Sequence, residues 1–165
     1  MSKKDKIARR NQECALAHPE IHFIDIENML GTARYTLRDV ERFRAFYLKV
    51  NKVHPKAHIV IGASSGEAML IAGIAWPDAR TAFIRGKDGA DRVLIQTALG
   101  EHVEDRYEKA FFASGDHEFI DAVQTLQTSG MHVTVFARAT RLSKALWAAC
   151  KHVKTFSAKE FALAA

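Results

Sequence analysis

Residues 110–123 read AFFASGDHEFIDAV, and their reading decides the fold. Ala110 to Ala113 is a short apolar, aromatic run that suits a buried strand. Ser114-Gly115 breaks it, and the chain restarts as an amphipathic helix from Asp116 to Thr128, with Phe119, Ile120, Val123 and Leu126 on one face. Asp116 and Glu118 therefore fall at a strand-to-helix junction. In an α/β sheet, the carboxyl ends of strands handle ligands, because helix N-termini and loops converge there. Acids gathered at such an edge repel one another unless a cation sits among them.

The flanking sequence repeats the strand-then-helix pattern. Ile21–Ile26 (IHFIDI) is a first strand, with Asp25 near its end and Glu27 and Asn28 just past it. A helix follows, in which Leu37, Val40, Phe43, Phe46, Tyr47 and Val50 recur at helical spacing behind a Thr36-x-x-Asp39 cap. His58–Gly62 is a second strand. Ser64-x-x-Glu67 matches a capping box and opens an apolar helix that Pro77 stops. Thr81–Arg85 is a third strand, Lys87-Asp88-Gly89 turns the chain, and a helix runs from Ala90 to Val103. After the pivotal stretch, Gly130 ends a helix and Met131–Phe136 forms another strand. A helix over Ser143–Cys150 and an extended piece at Val153–Phe156 complete the pattern. This alternation predicts an α/β fold, a three-layer sandwich around a parallel sheet of about five strands in Rossmann-like order.

At 165 residues the chain reads as one domain: a basic leader at 1–20, a folded body at 21–157 and a short tail at 158–165. Cys14 and Cys150 show no zinc spacing, and the expectation is a cytoplasmic protein with reduced thiols. No apolar run reaches membrane-span length and no signal-peptide core follows the N-terminus, so no membrane partner is expected. Of the formal charge of +5, residues 1–10 carry +4. The body is near neutral but segregated, with six basic residues and no acid from Arg138 to Lys159. Basic flanks around central acids suit a polyanion held over a metal.

Asp25, Asp91 and Asp116 are all expected at or just after the C-terminal ends of strands. If the first and fourth strands are neighbours, the strand order switches between them and the three carboxylates converge. Asn28 and Glu118 can add oxygen ligands. Such a set suits Mg2+ or Mn2+ and the hydrolysis of a phosphate ester. Each residue also has a plainer role. Asp88 can cap the third-strand helix, Asp91 can be a first-turn acid favoured by the helix dipole, and Asp116 can cap its own helix. Glu27 and Asp121 read as solvent-facing, and His117 as a surface residue. Trp76 and Trp147 read as packing residues. Gly62-Ala-Ser-Ser-Gly66 lacks the lysine of a phosphate loop. Asp25 is harder to explain plainly, since it interrupts an apolar strand where an unpartnered carboxylate is costly.

Asp25-x-x-Asn28 after an apolar strand, Lys87-x-x-x-Asp91 opening a helix, and Ser114-Gly115-Asp116-x-Glu118-Phe119 resemble the NYN branch of the PIN-like nucleases. The resemblance spans about residues 21–157. It implies a PIN-like sandwich and a Mg2+- or Mn2+-dependent ribonuclease. Asp25, Asn28, Asp91, Asp116 and Glu118 would form the acidic pocket, with metal on Asp25, Asp91 and Asp116. Lys87, Arg138, Arg141 and Lys144 are candidates to hold single-stranded RNA. The chain departs from the pattern at Glu118, where aspartate is common, at the inserted Asp88, and at Cys150, where an acid is often found. Two other readings stand beside it. One is a non-catalytic PIN-like module binding RNA or protein. The other is a haloacid-dehalogenase-like phosphatase, whose late motif Gly115-Asp116-x-x-x-x-Asp121 resembles. The oligomeric state is open, a homodimer included.

Overall fold

The computed structural model describes residues 20–164. The expected basic leader, apart from Glu20, and Cys14 lie outside the described residues. Six strands form one parallel sheet: β1 (Glu20–Asp25), β2 (His58–Ala63), β3 (Arg80–Phe83), β4 (Lys109–Ala113), β5 (His132–Arg138) and β6 (His152–Phe156). Their order is β3-β2-β1-β4-β5-β6. Between them run α1 (Ile26–Leu30), α2 (Leu37–Val50), α3 (Gly66–Ala75), α4 (Gly89–Gly100), α5 (Ile120–Thr128) and α6 (Lys144–Ala149), with α7 (Ala158–Leu163) at the end. Among the described residues no helix is long and apolar enough to cross a membrane.

The chain steps outward from β1 to β3, returns to the centre, and steps the other way from β4 to β6. Right-handed crossovers then send the two sets of connections to opposite faces. The buried side chains divide accordingly. Val40, Phe43, Phe46 and Tyr47 of α2 and Ala68, Ala72 and Ala75 of α3 share one core with Phe161 of α7 packed against it. Leu94 and Ala98 of α4, Val123 and Leu126 of α5 and Leu146 of α6 share the other. The fold is thus the expected three-layer sandwich, with β1 and β4 neighbours at the switch in strand order.

The sheet has six strands where about five were expected. The extended piece near Val153–Phe156 pairs along β5 as an edge strand, anchored by the buried Phe156. Beyond it, Ser157 and Glu160 form a capping box for α7, whose Phe161 packs against Phe43, Phe46 and Phe156. Two local expectations are corrected. Trp76 is buried, but Trp147 is 62% exposed, because α6 has six residues and buries Leu146 alone. The cap of α3 is Ser65, which accepts from the Ala68 N–H at 3.1 Å; Ser64 is engaged elsewhere.

Candidate metal centre

Strand alternation decides which way Asp25 faces. Ile21 and Phe23 enter the core beneath α4 and α5, and Ile24 enters the opposite one, so Asp25 turns toward α4. In β4, Ala110 and Phe112 share that side, and Ser114 continues the series. The Ser114 hydroxyl accordingly donates to Asp25 Oδ2 at 3.2 Å, while Asp25 Oδ1 accepts the Asn28 N–H at 3.1 Å and caps α1.

Asp91 arrives from the first turn of α4, and two glycines let that helix come close. Gly62 pairs with Asp25 in the sheet, and a Cβ there would stand 2.6 Å from Leu94 Cγ and 2.7 Å from the Ala90 carbonyl oxygen. A Cβ on Gly89 would stand 1.7 Å from the Ile84 carbonyl oxygen. With both positions bare, α4 settles onto β1 and β2 and presents Asp91 to Asp25. The two side chains are hydrogen-bonded, and they are 4% and 5% exposed.

Burial is the main cause that raises both carboxyls. Asp91 is pushed up to about 9, first by burial, then by Asp25, with Asp116 and Asp88 adding to it. Asp25 is also raised by burial, against which its hydrogen bonds from Asn28 and Ser114 act. Without a cation, the pair therefore holds a proton between two oxygens at neutral pH. A hard divalent cation would replace that proton with charge better matched to two carboxylates. Asp25 and Asp91 supply hard oxygen donors that suit such an ion, whereas Asp116 does not join them in a set of three ligand atoms within 4.8 Å of one another.

The remaining sequence candidates separate. Asp116 caps the 3-10 turn at 117–119 by accepting the Glu118 N–H at 3.0 Å, yet its charge reaches Asp91. Asn28 lines the cleft, and its Oδ1 accepts the Gly115 N–H at 3.1 Å, fastening α1 to the Ser114-Gly115 turn. Glu118 is exposed and faces His117, which also lies 3.1 Å from Asp116 Oδ1. Arg138 donates to the Met29 carbonyl at 2.8 Å and lies over the Phe156 ring, so much of its guanidinium is spent on the fold. Arg141 donates to the Gly31 carbonyl and lines the cleft. Lys87 and Lys144 are exposed. The Cys150 thiol is buried, donating toward the carbonyls of Val133 and His152.

Three contributions escaped the sequence reading. Ser114 orients Asp25, and strand alternation from Phe112 was the signal for it. Asp88 lines the cleft but makes no side-chain cap; it holds a left-handed backbone at φ 58°. Glu27, expected to face solvent, instead accepts from the Ser64 N–H at 2.9 Å and the Ser64 hydroxyl at 2.7 Å. The resulting cleft, lined by Asp25, Glu27, Asn28, Asp88, Asp91 and Arg141 among others, has a volume of about 270 Å³. Among the described residues, a tighter set of ligand atoms occurs at His102, Glu104 and Asp105, all within 4.8 Å of one another. That trio is exposed on the connection into the start of β4, at the other end of the sheet.

A search of curated proteins gives no match. Among solved structures, a protein of unknown function from Vibrio parahaemolyticus is similar at a TM-score of 0.55 and 20% identity, covering 85% of this chain and 94% of its own. At that identity the likeness bears on the fold alone. The NYN domain model matches residues 22–157. That span holds all six strands except the first residues of β1, together with the acids at the switch point, and the chain belongs to the NYN domain family, whose domains are nuclease-like with a PIN fold.

Proposed function

We propose that this chain is a divalent-metal-dependent nuclease that cuts single-stranded RNA. The observation that carries the proposal is the buried Asp25–Asp91 pair at the switch point, with Asp116 within electrostatic reach. Such a pair is unfavourable in a protein with nothing to bind, and favourable once a cation lies between its members. Mg2+ or Mn2+ would supply neutralising charge for the phosphodiester and acidify a water.

The chain's own residues have distinct tasks. Asp25 and Asp91 would hold the ion, and Ser114 and the Asn28 N–H keep Asp25 in one rotamer. Asp116 would complete the negative rim, its position set by the Glu118 N–H it accepts. Arg141 stands at the cleft wall, where it can meet a phosphate after giving up one contact to Gly31. Lys87 and Lys144 offer exposed charge to the strand on either side. A phosphatase reading fits less well, because Glu27, which would be its second acid, is bound to Ser64, and Asp121 is exposed.

The test is cleavage of a labelled single-stranded RNA in Mn2+ or EDTA, beside the Asp116→Asn variant. Cutting should need the metal and fall about a hundredfold in the variant, with the melting temperature little changed. Equal rates in variant and native protein would sink the proposal. RNA bound but never cut would favour a binding module; phosphate released from a small monoester would favour the phosphatase.

A further inference from the structure

Next to the acidic cleft is a second cavity, of about 480 Å³, between the 32–36 loop and the start of α3. Ala33, Arg34, Tyr35, Ser65, Glu67 and Ile71 line it, and Ala33 lines the acidic cleft too. The two spaces are held in fixed relation. The Tyr35 hydroxyl donates to the Ala68 carbonyl at 3.1 Å, pinning the loop to α3. Glu27, in the wall of the acidic cleft, grips Ser64 directly before the cap of α3. The charges of Glu27 and Asp25 also act on Tyr35, so this wall lies close to the acids.

The lining suits a nucleobase better than a phosphate. Ala33, Ala68 and Ile71 give an apolar floor, and Arg34 brings a planar cation of the kind that stacks on bases. Glu67 is exposed and offers acceptors only, which would repel a phosphate. The Ser65 oxygen already accepts from the Ala68 N–H, and its hydroxyl hydrogen remains to donate. A hydroxyl donor and a two-oxygen carboxylate lining one cavity complement the Watson–Crick edge of guanine, which presents O6, N1–H and N2–H in a row. Adenine and cytosine each carry one amino group beside a ring acceptor, so neither offers both carboxylate oxygens adjacent N–H groups. Uracil offers a single N–H.

We infer that this cavity seats a guanine of the RNA strand beside the bond to be cut, with Ser65 donating to O6 and Glu67 accepting from N1–H and N2–H. The inference rests on the nuclease reading for its substrate, but its test does not need cleavage. Fluorescent RNA hexamers carrying one central guanosine, or inosine in its place, are titrated onto the Asp116→Asn full chain in Mn2+. Inosine lacks only the N2 amino group. The guanosine hexamer should bind about tenfold more tightly, and Glu67→Gln added to that chain should erase most of the difference. Glu67 is exposed, and an unchanged melting temperature would show that the fold survives. Equal affinity for the two hexamers, a preference that survives Glu67→Gln, or no RNA binding would each overturn the inference. Cleavage mapped on the native protein separates the two ideas. Cutting without guanine preference sinks the cavity assignment alone; guanine-selective binding without cutting keeps the cavity and removes the nuclease.

Discussion

Asp91→Asn should give a metal-free protein that melts about 2–4 °C higher than the native chain, for roughly 1 kcal/mol of relieved strain. If the chain is the nuclease proposed, the same change should slow RNA cleavage about a thousandfold, the equivalent of some 4 kcal/mol of transition-state stabilisation. The two effects have one cause. In the native chain two buried carboxyls face each other, and burial with mutual repulsion holds Asp91 up to about 9. An amide keeps the shape and the hydrogen bond without having to take up a proton on folding, and it removes an ionisable ligand. Function and stability therefore oppose each other at this position.

The pH dependence follows with a definite sign. The folded state keeps a proton on Asp91 that the unfolded chain releases near 3.8, so the folded state binds more protons from there up to about 9. Stability of the metal-free native protein should then fall as pH rises through that window. Asp91→Asn should flatten the slope. Mn2+ must displace the shared proton, so its stabilising effect should grow with pH. Melting temperatures between pH 5 and 9, with and without Mn2+, measure all three. A variant that melts lower than the native chain, with no change of slope, would show that the pair is not strained.

Gly89→Ala should cost about 2–3 kcal/mol and reduce cleavage about a hundredfold. An added Cβ would lie 1.7 Å from the Ile84 carbonyl oxygen and 3.4 Å from Ser64 Cα. Both neighbours at closest approach are backbone, so no rotamer change relieves the clash. The exit from β3 and the first turn of α4 must part, and Asp91 moves with that turn. Urea unfolding gives the stability loss, and metal titration by melting temperature gives the loss of site geometry. Retention of native Mn2+ affinity would show that Asp91 is positioned independently of this packing.

Much of the architecture was legible because its signals are local. β-branched and aromatic runs marked the strands, and Thr36-x-x-Asp39 produced the capping box seen in the structure. The convergence of Asp25 and Asp91 was legible too, since it needs only strand order and the position of each acid at a strand end. What stayed hidden depends on contacts between distant segments. Nothing near Glu27 reveals that Ser64 will take its carboxylate, and nothing near Arg138 reveals that Met29 will take its guanidinium. Gly62 looked like part of a loop motif, whereas its bare Cα is what admits α4 beside Asp25. Ser65 rather than Ser64 caps α3, and the Ser64 hydroxyl donates instead to Glu27.

The placement of β1 at the middle of the sheet has a consequence for how the molecule comes into being. Asp25 and Ser114 meet across 89 residues of chain. Closing so large a loop carries an entropy cost that local helices do not share, and it slows assembly. A chain emerging from synthesis contains Asp25 and Asp91 well before β4 exists to flank β1. Until then β1 lacks one neighbour and Asp25 lacks the hydroxyl that orients it. The acidic centre is thus completed only when β4 pairs with β1, so its assembly waits on a long-range step rather than on any local element.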